Sequence, residues 1–118
     1  AITLHCPLTS DTTHLIDRAR LSRVKRGAVL VNTSRGGLVD LDDVDDAVDS
    51  GILASVALDV LDGEPDPPLS HPLLRRPEVL VTPHVAWYSL DARHALAIKS
   101  AEEALRSVRG EPLRSAIR

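Results

Sequence analysis

The sequence predicts an α/β fold built on one parallel β-sheet. Short runs of Val, Leu, Ile and Ala alternate with segments whose apolar residues recur every three or four positions, the pattern of helices that pack on one side. The short runs are apolar throughout, which is typical of parallel strands buried on both faces. Alternation of strand and helix favours a parallel sheet with right-handed crossovers, in a strand order that the pattern leaves open.

The first part of the chain predicts two strands with a helix between them. Ile2–Cys6 is a short buried strand that ends at Pro7. A polar loop then caps a helix over His14–Val24. The residues of this helix that we expect to face inward are Leu15, Ala19 and Leu21. Ala28–Asn32 follows as the second strand, apolar and rich in β-branched residues.

The middle of the chain predicts a second helix and a third strand. Asp40 is a good N-cap for a helix over Leu41–Ser50, and Gly51 fits the left-handed position after its end. One stripe of this helix contains Leu41, Val44, Ala47 and Val48. Ser55–Val60 is the third predicted strand.

The last part of the chain predicts a proline-rich connection, a strand and a long helix. Five prolines at positions 65, 67, 68, 72 and 77 exclude a sheet interior or a long helix. Val79–Thr82 is a short strand, and Ser89 or Asp91 begins a helix that ends at Gly110. The apolar residues of this helix, which we expect to pack on one side, include Ile98, Ala101, Leu105 and Val108.

Composition limits the classes of protein and partner. The 118 residues fit one domain, and a formal net charge of −3 with interspersed signs offers no basic surface for nucleic acid. Cys6, the single cysteine, has no disulfide partner and no zinc-type spacing, which favours the cytoplasm. No apolar stretch approaches the ~20 residues of a membrane helix, so we expect no membrane partner. The absence of Met and the apolar opening at Ala1 favour a piece of a longer protein.

Three side chains suited to chemistry lie just beyond predicted strands. They are Arg35 in NTSRGG, Glu64 in DGEPDPP and His84 in VTPHVAWYS. A guanidinium can bind a carboxylate through two hydrogen bonds, an imidazole can move a proton, and a carboxylate can orient that imidazole. Taken singly, each is also an ordinary surface residue, and that alternative stays open at this point. Asp59 ends the run VALD, where a charge beside a buried strand needs a partner or a ligand.

Other motifs indicate no further chemistry. His5, His14, His71 and His94 share no metal-ligand spacing, and we expect the last three to be exposed and no metal to bind. The polar run at residues 10–13 suits a helix cap, or alternatively a set of donors for a phosphate or ribose. The sequence G-x-G-x-x-G, which binds dinucleotide phosphates, is absent from this chain.

Taken together, these segments resemble the D-isomer-specific 2-hydroxyacid dehydrogenase family. The resemblance runs from HCPLTSDTTHLID through KRGAVLVNTSRGGLVD and SVALDVLDGEP to VLVTPHVAWYS, with the LD, EP and PH pairs in the family's order. Within the family, VAWYS is most similar to the C-terminal-binding protein branch. The resemblance implies the C-terminal half of a Rossmann-type doubly wound parallel sheet, with a C-terminal helix returning toward a missing substrate domain. Residues 1–110 would be a partial NAD-binding domain and 111–118 a tail toward the substrate domain.

The resemblance also implies roles for single residues. Arg35 would bind the substrate carboxylate, His84 would be the acid/base at the substrate oxygen, and Glu64 would hydrogen-bond that imidazole and favour its charged form. Asp59 would hold the nicotinamide carboxamide, and Trp87 would form an aromatic wall of the substrate pocket. The residues that would contact NAD are Cys6, Pro7, Leu8, Thr12, Thr33, Ser34, Arg35, Asp59, His84 and Ala86.

We therefore expect part of an NAD-dependent oxidoreductase that transfers a hydride between the nicotinamide and a D-2-hydroxy acid or 2-oxo acid. The part alone is expected to be inactive, and the intact protein to be a cytoplasmic homodimer. An alternative, suggested by VAWYS, is an NAD-sensing dimeric scaffold or corepressor-like protein with incidental dehydrogenase activity. A third possibility is a small regulatory α/β domain without a cofactor, which the order of the motifs disfavours. The residues that decide between NAD and NADP lie outside the chain.

Overall fold

The computed structural model describes residues 1–67 and 69–114, which divide into two compact units. The first, Ala1–Ala86, is called the sheet unit below, and the second, Trp87–Arg118, the helical unit. Pro68 and the end of the predicted tail at 115–118 lie outside the described residues. No helix in the described residues has the length and apolarity that crossing a membrane requires.

The sheet unit contains four parallel strands in the order in which they occur along the chain. They are β1 (Ile2–Leu4), β2 (Ala28–Asn32), β3 (Leu53–Leu58) and β4 (Val79–Val81). The predicted parallel α/β sheet is therefore confirmed. The register aligns the last residues of all four strands in one row across the sheet, namely Leu4, Asn32, Leu58 and Val81. The four loops that follow these strands consequently begin side by side.

Several strand limits differ from the predicted ones. β1 ends two residues before Cys6, and β3 spans Leu53–Leu58 rather than Ser55–Val60. The third strand starts earlier because Leu53, which is buried, pairs with Ala28 directly after the turn at Gly51. It ends earlier because Asp59 already belongs to the loop at the sheet edge.

The prediction that β2 is buried on both faces is wrong. Leu30 and Asn32 are completely buried, whereas Val29 is 36% exposed and Val31 is half-buried. Successive side chains of a strand point to opposite faces, so β2 has one buried face and one partly open face. The buried face carries the core with Leu53, Val56 and other aliphatic residues.

The predicted helix over His14–Val24 is also wrong in extent, because α1 spans only Arg18–Leu21. Ile16 pairs with Val39 in an isolated parallel bridge, and its N–H donates to the Leu38 carbonyl at 2.9 Å. This long-range pairing takes the backbone groups that a longer helix would use. Ile16 is buried in place of the predicted Ala19, which is exposed.

The cap of α1 also differs from the predicted one. Its N-cap is Asp17, whose carboxylate accepts from the Arg20 N–H at 2.8 Å, rather than a residue of the 10–13 run. The hydroxyl of Thr13 in that run donates to the carbonyl of Thr9 at 2.9 Å, within the loop itself.

The second helix follows the prediction closely. α2 spans Leu41–Asp49, and the Asp40 carboxylate caps it by accepting from the Asp43 N–H at 3.0 Å. Gly51 adopts the predicted left-handed conformation, with a φ of 71°. The buried residues of α2 are Val44, Ala47 and Val48, which pack into the core cluster.

The connection between β3 and β4 contains a short 3-10 helix, Pro72–Arg75. His71 caps it, because its Nδ1 accepts from the Leu73 N–H at 3.2 Å while its Nε2 lies 3.0 Å from Asp42 on α2. The expectation that His71 is exposed is therefore wrong: only 15% of its side chain is accessible. Leu73 is completely buried and fixes this segment to the core.

The helical unit consists mainly of α3, which spans Leu90–Val108. Of the two predicted starts, Ser89 is the N-cap, and its Oγ accepts from the Ala92 N–H at 3.0 Å. Gly110 lies just beyond the end with a φ of 69°. None of the residues of α3 is buried, and Val108 is 87% exposed, so the predicted one-sided packing is not found in the described residues.

Candidate active site

The candidate site is formed by the loops that follow β2, β3 and β4. Arg35 comes three residues after the end of β2, Asp59 and Glu64 follow β3, and His84 follows β4. Because these strands are parallel neighbours with aligned ends, the three loops occupy one edge of the sheet. In doubly wound sheets, ligands bind outside this carboxyl edge.

Glycine brings the Arg35 loop against the loop that carries Glu64. A Cβ placed on Gly36 would lie 2.0 Å from the carbonyl carbon of Leu61 and 2.1 Å from the nitrogen of Asp62. These atoms belong to the backbone and cannot rotate away, so only glycine fits. A Cβ on Gly37 would lie 3.0 Å from the side chain of Leu8. Gly36 thus allows the backbones of the two loops to approach closely.

Asn32 holds the Arg35 loop, a role that sequence reasoning missed. Its side chain is completely buried, with Nδ2 donating to the Arg35 carbonyl at 2.8 Å and Oδ1 accepting from the Ser34 N–H at 3.0 Å. The Ser34 hydroxyl donates to the Cys6 carbonyl at 2.7 Å and so joins this loop to the one after β1. A polar amide at the end of an otherwise apolar strand was the available signal.

The Arg35 side chain itself is exposed. Its Nη1 donates to the Ser34 carbonyl at 2.7 Å, and among the described residues it forms no ion pair. An arginine with no carboxylate partner in the described chain is suited to binding an external anion with its planar set of donors.

Glu64 and His84 form a direct hydrogen bond. The Nδ1 of His84 lies 2.7 Å from Oε2 of Glu64, and the other oxygen of Glu64 accepts from the Leu61 N–H at 2.9 Å. The Leu61 N–H chiefly, with the imidazole, holds the pKa of Glu64 below its ordinary value, against the opposing effects of burial and of Asp59. An ionised carboxylate only accepts, so Nδ1 of His84 carries a proton toward Glu64.

Asp59 finds its partners inside the protein. Only 4% of the residue is exposed, and its Oδ1 accepts from the Thr82 hydroxyl at 2.5 Å and from the Val85 N–H at 2.9 Å. Its Oδ2 accepts from the Ala86 N–H at 2.8 Å. Burial, the largest single influence, raises the pKa of Asp59, but the three hydrogen bonds together outweigh it and hold the pKa below its ordinary value. Both carboxylate oxygens thus organise the loop after β4.

His84 has a backbone conformation that side chains seldom adopt. Its φ is 54°, in the left-handed region. Its N–H donates to the Asp59 carbonyl at 2.9 Å and to the Thr82 carbonyl at 3.0 Å. Such a conformation costs on the order of 1 kcal/mol and persists where the surroundings over-determine it, which is common at functional sites.

Two cavities lie in this region of the sheet unit. One, of 470 Å³, is bounded by apolar residues of the proline-rich loop and β4 and contains Asp59, Glu64, Thr82 and His84 in its wall. The other, of 560 Å³, is lined by His5, Cys6, Pro7, Leu8, Ser34 and Arg35. Five of the predicted cofactor contacts therefore line this second cavity. The position of the cavity at the carboxyl edge of parallel strands fits a dinucleotide.

Three further predicted NAD contacts, Thr12, Thr33 and Ala86, are not among the residues that line either of these two cavities. The Thr12 hydroxyl donates to the Pro7 carbonyl at 2.8 Å and accepts from the Thr9 N–H at 2.7 Å, so it shapes its own loop. Thr33 is exposed, and Ala86 acts through its N–H on Asp59. Trp87 belongs to the helical unit, where its ring packs edge-to-face with Tyr88 at a centroid distance of 5.5 Å.

Comparison with known proteins identifies the domain. Residues 1–86 match the family model of the NAD-binding domain of D-isomer specific 2-hydroxyacid dehydrogenases. The chain belongs to this family. The predicted resemblance is confirmed, and so is NAD as the cofactor of the domain type. No finding tests the narrower resemblance to the C-terminal-binding protein branch, which stays a prediction.

Individual relatives agree with the family. The chain is 39% identical over 110 residues to a glyoxylate reductase of Thermofilum pendens, an alignment that covers 93% of this chain and 32% of that protein. It is 44% identical to a D-specific alpha-keto acid dehydrogenase of Enterococcus faecalis, over 75% of this chain and 31% of that protein. A D-lactate dehydrogenase structure from Treponema pallidum superposes with a TM-score of 0.89 at 31% identity, covering 99% of this chain and 39% of that one.

The chain thus spans about a third of the length of the relatives it matches. The expected class, the C-terminal half of a Rossmann-type sheet, is confirmed by the parallel four-stranded sheet and these superpositions. Among the described residues no group of three or more His, Cys, Asp or Glu side chains is placed to hold a metal ion.

Proposed function

We propose that the complete protein containing this domain is an NAD-dependent D-2-hydroxyacid dehydrogenase. It transfers a hydride between the nicotinamide and C2 of a D-2-hydroxy acid or 2-oxo acid. The observation that carries the proposal is the His84–Glu64 hydrogen bond at the same sheet edge as Arg35, which carries no carboxylate partner within the described residues. NAD supplies the hydride chemistry, and this chain supplies proton transfer and orientation.

The proton is handled by His84. As negative charge develops on the 2-oxo oxygen, the imidazolium donates a proton to that oxygen, and in the reverse direction the imidazole removes the hydroxyl proton. Glu64 accepts from Nδ1, and we assign the catalytic proton to the other ring nitrogen, Nε2.

Substrate orientation is assigned to Arg35. Its guanidinium can bind the substrate carboxylate through two parallel hydrogen bonds and polarise the adjacent carbonyl. The loop that carries it is held by Asn32 and by the close approach at Gly36, so the guanidinium starts from a fixed backbone. Cys6, Pro7, Leu8 and Ser34 would form the wall on the cofactor side, and Asp59 and Trp87 keep their predicted roles at the carboxamide and the substrate.

The proposal is tested by turnover of the complete protein with NADH and a panel of 2-oxo acids. We expect His84→Ala to lower kcat at least about 100-fold, since loss of a general acid typically costs two to four orders of magnitude. His94→Ala, at an exposed position on α3, is the matched control and should turn over normally. Turnover that is unaffected by His84→Ala would contradict the catalytic role of the imidazole.

The assembly and location are further parts of the proposal. β4 is an edge strand of the described sheet with Leu80 62% exposed, and such an edge favours association with another chain, which supports a homodimer. The lone Cys6 supports the cytoplasm. Sedimentation of the complete protein with and without NADH tests the dimer. Assembly that changes with NADH while turnover stays negligible would favour the scaffold alternative.

A further inference from the structure

Of the three donors to the Asp59 carboxylate within the described residues, Thr82 alone supplies a side-chain group. The other two are the N–H groups of Val85 and Ala86, which every residue type supplies. The distance from the Thr82 hydroxyl to Oδ1 is 2.5 Å, at the short end of the range for a hydroxyl that donates to a charged carboxylate. A substitution at Thr82 can therefore remove one anchor of the loop without touching its backbone donors.

The backbone of Thr82 also joins the end of β3 to the proposed acid/base. Its N–H donates to the Leu58 carbonyl at 3.0 Å, at the level where β3 and β4 end, and its carbonyl accepts from the His84 N–H at 3.0 Å. The His84 N–H also donates to the Asp59 carbonyl, and these hydrogen bonds hold the His84 backbone in the left-handed conformation. The Thr82 hydroxyl thus joins the residue after β4 to the buried Asp59 carboxylate. The same carboxylate accepts from the N–H groups of the two residues after His84.

We infer that Thr82 is a positioning residue for proton transfer, holding the His84 imidazole against Glu64 through the Asp59 carboxylate. This inference rests on the proposed function and adds to it a residue that acts through the Asp59 carboxylate and the backbone of the His84 loop. If the hydroxyl is lost, Oδ1 of Asp59 keeps only the Val85 N–H. The loop from 82 to 86 then samples other conformations, and the His84–Glu64 hydrogen bond is populated for a smaller fraction of the time.

The test uses three variants of the complete protein, assayed for reduction of a 2-oxo acid with NADH. Thr82→Val removes the hydroxyl and keeps the shape, and we expect kcat to fall about tenfold to 100-fold, since small misplacements of a catalytic group cost up to about 100-fold. Thr82→Ser keeps the hydroxyl and should retain kcat within about threefold of the unmodified protein. Ser22→Ala, which removes an exposed hydroxyl that donates to the Ala19 carbonyl at 2.8 Å, is the control and should leave kcat unchanged.

A double-mutant cycle with His84→Ala separates positioning from general damage to the fold. If Thr82 acts through His84, Thr82→Val should cause no further loss of kcat in the His84→Ala background. Hydrogen exchange of the Val85 and Ala86 amides should at the same time become faster in Thr82→Val, because their shared acceptor has lost its anchor. An equal loss of kcat in both backgrounds would overturn the inference.

The outcomes also distinguish this inference from the proposed function. An inactive His84→Ala combined with a fully active, folded Thr82→Val would overturn the role of Thr82 and leave the proposed function standing. An active His84→Ala would overturn both. Where Thr82→Val does not fold, Thr82→Ala removes the same hydroxyl without adding a methyl group beside the carboxylate. Failure of both variants to fold would show that the hydroxyl maintains the fold and would overturn the positioning role.

Discussion

The Arg35 loop and the His84 loop lie at the same edge of the sheet but are held by different chemistry. A neutral, completely buried amide, that of Asn32, binds the backbone of the first. An ionised, buried carboxylate, that of Asp59, binds the second. The backbone of the Arg35 loop is therefore held by a group that does not titrate. The Asp59 carboxylate, by contrast, holds its loop best in the ionised form, since protonation turns one of its accepting oxygens into a donor.

The two loops also differ in what fixes their path. The first is fixed by contact, since Gly36 lies against the Leu61 backbone with no space for a side chain. The second is fixed by hydrogen bonds that keep His84 at a φ of 54°. Disrupting the path of the Arg35 loop therefore requires a larger side chain at Gly36. Disrupting the path of the His84 loop requires only the loss of a charge or a hydroxyl. Substitutions at each loop can test this distinction.

The largest effect is expected from Gly36→Ala. The added Cβ would meet backbone atoms at about 2 Å, which forces the two loops apart, and we expect the free energy of unfolding to fall by about 3 kcal/mol or more, the upper end for overpacking. Urea unfolding of the complete protein measures this loss. Gly27→Ala is the control, because its φ is 78° but no atom lies within 4 Å of the added Cβ. That variant should lose only about 1–2 kcal/mol, the usual cost of the left-handed conformation. Equal losses in the two variants would contradict a role for close approach.

Asp59→Asn comes next, and its effect depends on pH. The amide replaces one accepting oxygen with a donor that faces the backbone N–H groups of the His84 loop, and we expect a loss of about 2 kcal/mol near neutral pH. Because the pKa of Asp59 in the folded protein lies below its ordinary value of 3.8, ionisation favours the folded state. The stabilisation is complete above that value and is lost as the pH falls through the lower, folded-state pKa.

The measurement is urea unfolding of the unmodified protein and of Asp59→Asn from about pH 7 down to about pH 3. The difference between their free energies of unfolding should stay constant at the neutral end and shrink at the acid end. Asn32→Ala offers the comparison from the other loop, because an amide and an alanine do not titrate in this range. Its difference from the unmodified protein should not change with pH. A pH-independent difference for Asp59→Asn would contradict the ionised state of that carboxylate.

The parts of the fold that sequence reasoning predicted well depend on local signals. Ala28–Asn32 was predicted with its observed limits because an apolar, β-branched run specifies a strand within itself. α2 was predicted to within one residue because its cap at Asp40 and its end at Gly51 are local. Arg35 and His84 could be placed at one sheet edge because parallel strands bring their carboxyl ends together.

The parts that it missed depend on contacts between distant residues. The segment from 14 to 17 is not helical because Ile16 pairs with Val39, more than twenty residues away. His71 is half-buried because α2 supplies Asp42 as its partner. The signal at Asn32 was a polar amide at the end of an apolar strand, which did not show that its partner is the Arg35 loop. Thr82 carried no signal of its role, since its hydroxyl acts on the Asp59 carboxylate, which is distant in sequence.

The smallest effect is expected from Glu64→Gln, which changes the charge beside His84 but keeps the shape of the side chain. The amide has one accepting oxygen where the carboxylate has two, so its two terminal atoms cannot accept from both Nδ1 of His84 and the Leu61 N–H. We expect kcat for reduction of a 2-oxo acid to fall about tenfold, because the imidazole is then correctly oriented for a smaller fraction of the time. Glu78→Gln, at an exposed position, is the control for loss of a glutamate charge and should leave kcat unchanged. An unchanged kcat in Glu64→Gln would contradict the role of Glu64 in orienting the ring, and the His84 loop would then depend on Asp59 alone.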